Sequence, residues 1–155
     1  MTNVDKIDLQ IIAKLRQDAR QSYRELAGKL GVAEGTIYNR VNRLKKEGII
    51  KRFMVEVDYG KLGYDLTCVM GLVVEGGHLP DIEEHISKDD AVSAVYDVTG
   101  QYDAIVVAKF RDSNELNKYV KKLTATPHLE RTYTMVVLNV IKEQHGIKLG
   151  LLEDQ

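Results

Sequence analysis

One cysteine, Cys68, is all the chain has, so no disulfide can form within it. It falls in an apolar stretch and reads as a small buried filler, which suits a reducing compartment. No apolar run approaches the roughly 20 residues of a membrane span. The N-terminus lacks the apolar core of a signal peptide. These absences predict a soluble, cytoplasmic protein with no membrane partner. Internal repeats and low-complexity segments are missing. So are the usual marks of catalysis: there is no Ser/His/Asp grouping, no Gly-x-x-x-x-Gly-Lys-Ser/Thr phosphate loop and no dinucleotide glycine fingerprint. The four histidines (His78, His85, His128 and His145) are scattered without metal-ligand spacing. No catalytic residue, metal or cofactor is therefore expected. The acidic pairs Glu83-Glu84 and Asp89-Asp90 read as solvated faces.

What the chain does have is uneven. Its 155 residues hold one ordinary domain or two small ones, and 44% hydrophobic residues fit a folded protein. The overall charge of −1 hides an asymmetry. Residues 1–52 carry six Lys and six Arg against three Asp and three Glu, net +6. Residues 53–155 carry ten basic and seventeen acidic residues, net −7. A basic half beside an acidic half suggests a nucleic-acid-binding module joined to something else.

The first helix is predicted from Asp5, with Asp5 and Asp8 at its positive end and Ile7, Ile11, Ile12 and Leu15 as its apolar stripe. Ser22 and Glu25 form a capping box for a second helix, with Leu26, Ala27 and Leu30 inward. Gly31 supplies the turn. A third helix runs over 34–47 and stops at Gly48. Residues 49–57 read as a strand, the wing and exit of a domain spanning 1–52, with a linker strand over 53–62. From there the period changes to two. Strands are predicted over 66–74, 91–98, 104–110 and 132–141, with helices over 79–87 and from Asp112 or Ser113 to Thr126-Pro127. The order β-α-β-β-α-β is the ferredoxin-like arrangement, spanning 63–142. Residues 143–155 are expected to be a loosely held tail. The fold class is thus α+β, a winged helix-turn-helix followed by a ferredoxin-like domain.

Two groups of residues carry chemistry. On a helical wheel Ile37, Val41 and Leu44 cluster, and the opposite face carries Gly35, Thr36, Asn39, Asn42, Arg43 and Lys46. Asn pairs with adenine and Arg with guanine in the major groove. Tyr23, Arg24, Arg40, Lys45, Lys51 and Arg52 lie where phosphates would be held. The second group is Thr99, Gly100, Gln101, Tyr102 and Asp103, with Thr132, Tyr133 and Thr134 on the last strand. As a plain hairpin turn, its Asp satisfies local amides. As a small-ligand site, Asp103 accepts from an ammonium group, turn amides donate to a carboxylate, and the threonine hydroxyls complete the shell.

Together these features resemble the leucine-responsive and asparagine-synthase regulators, the Lrp/AsnC family, over essentially the whole chain. The carriers are Val4-Asp5-Lys6-Ile7-Asp8, Ile11-Ile12, Asp18-Ala19-Arg20, Glu25-Leu26-Ala27, Gly31-Val32, Thr36-Ile37, Arg40-Val41, Leu44 and Gly48-Ile49-Ile50. Gly100-Gln101-Tyr102-Asp103 and Arg131-Thr132-Tyr133 follow. The resemblance implies a prokaryotic DNA-binding transcription regulator acting on double-stranded, pseudo-palindromic sites. It implies homodimers built through the C-terminal sheets, assembling into tetramers, octamers or larger rings, with an amino acid effector near the Gly-x-x-Asp turn. The chain departs from the family at Ala33, where Ser or Thr often caps the third helix. Two other readings compete: a ligand-independent architectural regulator, and an enzyme resembling sirohaem decarboxylases. Sparse histidines and a strongly basic first domain disfavour the enzyme.

Overall fold

The computed structural model describes residues 4–144, 146, 147 and 149. By internal contacts they form two compact units, one ending at Glu56 and joined by the residues after Glu143, the other spanning Val57–Glu143.

The first unit is three helices. α1 covers Lys6–Gln17, and its Asp5–Asp8 capping box is fully formed. α2 covers Tyr23–Leu30 behind the Ser22–Glu25 box. α3 covers Glu34–Lys46. Ile11, Leu15, Leu26, Ala27, Ile37 and Val41 make the core. Gly31 turns the chain between α2 and α3 at φ +67°, a left-handed conformation glycine adopts without steric cost. After Glu143 the chain returns to this unit, where the Ile147 carbonyl accepts from the Arg16 guanidinium. Of the predicted loose tail, Glu143, Gln144, Gly146, Ile147 and Leu149 are the residues described, and Glu143 accepts from Lys109.

Residues 49–57 are not a strand. The segment has strand-like composition, but no strand of its unit lies alongside to complete a ladder, and an unpaired strand leaves its amides unsatisfied. Phe53, Met54 and Val55 are exposed. The linker strand over 53–62 is absent likewise; its last residues form a short 3-10 turn, Gly60–Leu62.

The second unit is β1 (Leu66–Val74), α4 (Leu79–Ser87), β2 (Val92–Asp97), β3 (Ala104–Phe110), α5 (Ser113–Thr124) and β4 (Leu129–Val136). The sheet order is β2-β3-β1-β4, with every neighbouring pair antiparallel. Alternation puts Cys68, Met70, Leu72 and Val74 of β1, and Ala104, Val106, Ala108 and Phe110 of β3, on one face. Ile82, Ile86, Tyr119 and Leu123 pack with them from the helices. Cys68 is fully buried, and burial pushes its thiol pKa up, as befits an unreactive filler. β4 starts three residues earlier than predicted and ends five earlier. Its partner β1 sets both limits, since Val74 pairs with Leu129 and Cys68 with Val136.

Candidate nucleic-acid interface and effector turn

α3 is locked in rotation by Ile37, Val41 and Leu44, all fully buried. At about 100° per residue, Gly35, Asn39, Asn42 and Lys46 then centre the outward face, and all four are exposed. Thr36 lies half-buried on one flank. On the other flank stands Tyr38, exposed and edge-to-face with Tyr23 at 6.2 Å. Tyr38 is missing from the expected set, although its position four residues before Asn42 could have revealed it. Tyr23 is half-buried against the core, while Arg24, Lys45, Lys51 and Arg52 are exposed.

Two arginines have partners within the unit. The carboxylate of Asp8 is fully buried. Its Oδ1 accepts from Arg40 Nη1 at 2.9 Å, and its Oδ2 accepts from Arg43 and from the Asp5 amide. Arg40 also donates to Asp5 at 2.7 Å. Burial pushes the Asp8 pKa up, but the Arg43, Asp5 and Arg40 hydrogen bonds outweigh it and hold the carboxyl below its ordinary range. Arg40 and Arg43 therefore join α3 to α1. Arg40 is expected at phosphate and Arg43 among the base-reading side chains; here both also bond to α1. From sequence Asp8 read only as a helix-end charge; its partners lie 32 and 35 residues away.

The start of α3 has no side-chain cap, because Ala33 offers no oxygen. A serine there would accept from an amide of the first turn. Ala33→Ser is expected to raise stability by about 1 kcal/mol in urea denaturation, and an unchanged midpoint would contradict the open cap.

In the second unit the structure divides the expected effector residues. Asp103 Oδ2 accepts from the Val74 amide at 2.8 Å, and the Asp103 amide donates to Leu72. Thr99, Gly100 and Gln101 are exposed at the turn. The Tyr102 ring lies flat over Gly71, where any Cβ would meet it at 2.6–2.7 Å. Its centroid is 5.3 Å from that of Tyr133, which pairs opposite Gly71. Thr132 and Thr134 pair opposite Leu72 and Met70, so alternation sends their side chains to the helix-covered face. Tyr102 with Tyr133, and Thr132 with Thr134, are therefore on opposite faces of the sheet.

The open face also shows Tyr96 and Met135, both about half exposed. The histidines are less scattered than their spacing suggests. His78 and His128 stack with centroids 3.6 Å apart, while His85 is exposed on α4 and His145 lies outside the described residues. Among the described residues no helix is long and apolar enough to cross a membrane.

Comparison with known proteins agrees with both units. Residues 4–51 match the winged helix-turn-helix DNA-binding model, and residues 67–147 match the Lrp/AsnC ligand binding domain. An HTH-type transcriptional regulator of Pyrococcus abyssi is 46% identical over 145 residues, covering 94% of this chain and 99% of that protein. The chain belongs to the Lrp/AsnC family of transcription regulators. The AsnC structure of Escherichia coli superposes with a TM-score of 0.86 at 28% identity, over 92% of this chain and 97% of AsnC. A transcriptional regulator of Neisseria meningitidis, solved as an L-Met complex, shares the fold with a TM-score of 0.88 at 20% identity, over 97% of this chain and 100% of its own. This regulator is thus a DNA-binding protein of the Lrp/AsnC type whose second unit matches the family's ligand binding domain.

Proposed function

We propose that this regulator reads specific double-stranded DNA through Gly35, Thr36, Asn39, Asn42 and Lys46. Tyr23, Tyr38, Arg24, Lys45, Lys51 and Arg52 hold phosphates, and Arg40 and Arg43 brace the reading helix. The observation that carries this is the outward face of α3, where two asparagines and a lysine stand exposed within residues 1–52, a stretch of net charge +6. Amide side chains specify bases, and surrounding cations supply affinity. The protein works in the cytoplasm without a catalytic step.

A single helix-turn-helix buries little surface on DNA. Two copies about 34 Å apart meet successive major grooves of a pseudo-palindrome. The open sheet face, with Tyr96, Tyr133 and Met135 exposed, is suited to covering by a second copy. Dimers then assemble into tetramers, octamers or larger rings, and several sites bound at once gain affinity through effective concentration.

The effector is an amino acid, a reading supported by the Neisseria regulator of the same fold, which was solved as an L-Met complex. Asp103 accepts from its ammonium group, with Thr99, Gly100, Gln101 and Tyr102 at the turn. Because Tyr102 and the Thr132–Thr134 pair lie on opposite faces, one chain supplies only part of a shell, which favours a site completed by another copy. Binding there shifts oligomer populations and so which promoters are held. Asp103→Asn keeps an acceptor for the Val74 amide and removes the charge. It is expected to weaken amino-acid binding at least about tenfold by calorimetry, as loss of a charge-assisted hydrogen bond would. If no amino acid gives heat with the unaltered protein, the domain serves assembly alone.

A further inference from the structure

Beyond the DNA face and the effector turn, one further cluster of donors stands out in the second unit. Glu75 directly follows β1, His78 directly precedes α4, and His128 directly precedes β4. One ligand-type atom from each lies within 4.8 Å of the other two. We propose that Glu75, His78 and His128 form a binding site for a divalent transition-metal ion of the zinc, cobalt or nickel kind.

The backbone holds the three residues together. The Glu75 amide donates to the His128 carbonyl at 2.9 Å, and the His78 amide donates to the Glu75 carbonyl at 3.2 Å. β1–β4 pairing, which ends with Val74 opposite Leu129, brings residues 53 apart in sequence to one sheet end. His128 sits at φ +65°, the one non-glycine residue with positive φ among those described. That left-handed conformation is unfavourable for an L-residue, and it persists where surrounding contacts over-determine it.

The side chains are the right donors. His128 Nδ1 and Glu75 Oε2 are 2.8 Å apart and share a proton. The two imidazoles stack within 6° of parallel. Two imidazoles and one carboxylate form a three-ligand set that leaves a fourth tetrahedral position to water. Nitrogen donors select against calcium and magnesium, which take oxygen shells, and the absence of sulfur selects against copper(I).

With bonds of about 2.0–2.2 Å, donors around one tetrahedral ion stand roughly 3.3–3.6 Å apart. The cluster must therefore close slightly, and one ring must tilt from the stack, because lone pairs in parallel planes do not converge. Glu75 and His128 side chains are 58% and 46% exposed, which leaves room for that rotation. Ligation through Nδ1 requires the His128 ring proton to sit on Nε2: a neutral ring shifts its proton there, and a protonated ring releases one to solvent. The ion then ties the end of β1 and the starts of α4 and β4 into one knot.

The test uses the full-length, chelator-stripped protein titrated with cobalt(II) chloride and then zinc chloride. One cobalt ion per chain is expected, with the strong visible bands of four-coordinate geometry, displaced by zinc. His78→Ala and His128→Asn should each weaken zinc binding at least about 100-fold, since even second-sphere losses cost 10–100-fold; Asn tolerates the left-handed backbone. His85→Ala should leave binding unchanged. Circular dichroism identifies correctly folded variants, and Glu75→Gln gives a third that keeps the backbone knot. Absence of cobalt bands in the unaltered protein overturns the proposal. So does unaltered zinc affinity in any correctly folded ligand variant.

Discussion

Replacing Asp8 with alanine is expected to cost the helix-turn-helix unit about 3 kcal/mol, more than any surface substitution in the chain. The carboxylate is fully buried and receives Arg40, Arg43 and the Asp5 amide. Removing it takes away the buried acceptor that Arg40 and Arg43 share and opens the α1 capping box. Breaking a buried pair typically costs about 3–5 kcal/mol. The lower end applies because the Arg40 and Arg43 side chains keep 24% and 35% exposure and can turn to water. Hydrogen exchange read peptide by peptide would localise the loss to α1 and α3 and leave the β-sheet amides unchanged. A loss under 0.5 kcal/mol would show that the carboxylate is not what joins the helices.

The same group makes the unit acid-sensitive. Asp8 has a folded-state pKa depressed below its unfolded value of about 3.9. Its stabilisation is thus fully present above the unfolded pKa and is lost as pH falls through the folded pKa. Asp5, lowered by its hydrogen bonds to the Asp8 amide and to Arg40, adds in the same direction. Acid unfolding of the helical unit should therefore set in below about pH 4. Asp8→Asn should flatten that dependence while being less stable at neutral pH.

Much of the architecture was legible because local chemistry and tertiary structure agree. Asp5, Ser22 and Asp112 cap where capping residues belong, and Gly31 turns where a left-handed residue is needed. The period of two expected over 66–74 is the alternation that buries one face of the sheet. The errors have one cause: they concern features that depend on a partner distant in sequence. Residues 49–57 have strand chemistry but no neighbouring strand. The limits of β4 belong to β1. The Arg43–Asp8 pair is likewise invisible to a helical wheel, which shows Arg43 only at the edge of the outward arc of α3. His78 and His128 are 50 residues apart and meet through sheet register, which spacing rules do not see. Around the turn at 99–103, the sequence set Thr99–Asp103 beside Thr132–Thr134. Their division between two sheet faces was not legible, because it depends on the Gly71–Tyr133 pairing.

The Arg43–Asp8 pair changes which substitutions test DNA reading. Arg43→Ala would weaken the helix-turn-helix itself, so any loss of binding would be ambiguous. Asn39→Ala with Asn42→Ala is the cleaner variant, since both side chains are exposed and the core beneath them is untouched. A good bidentate base contact contributes about 1–3 kcal/mol of discrimination. Losing two should lower affinity for a site recovered by selection from random duplexes at least about 100-fold. Non-specific binding should persist, because it depends on cations rather than amides. The unaltered protein and the variant should therefore converge on the same weak, salt-sensitive affinity for unrelated DNA. Lys51→Ala should give the opposite pattern. It removes a phosphate contact, weakens all sequences alike and reduces the salt slope by about one. Fluorescence anisotropy across a salt series separates the two. Undiminished preference for the selected site in the double-asparagine variant would move base reading off this face of α3. The flanking Tyr38 and Thr36 would then be the next residues to carry it.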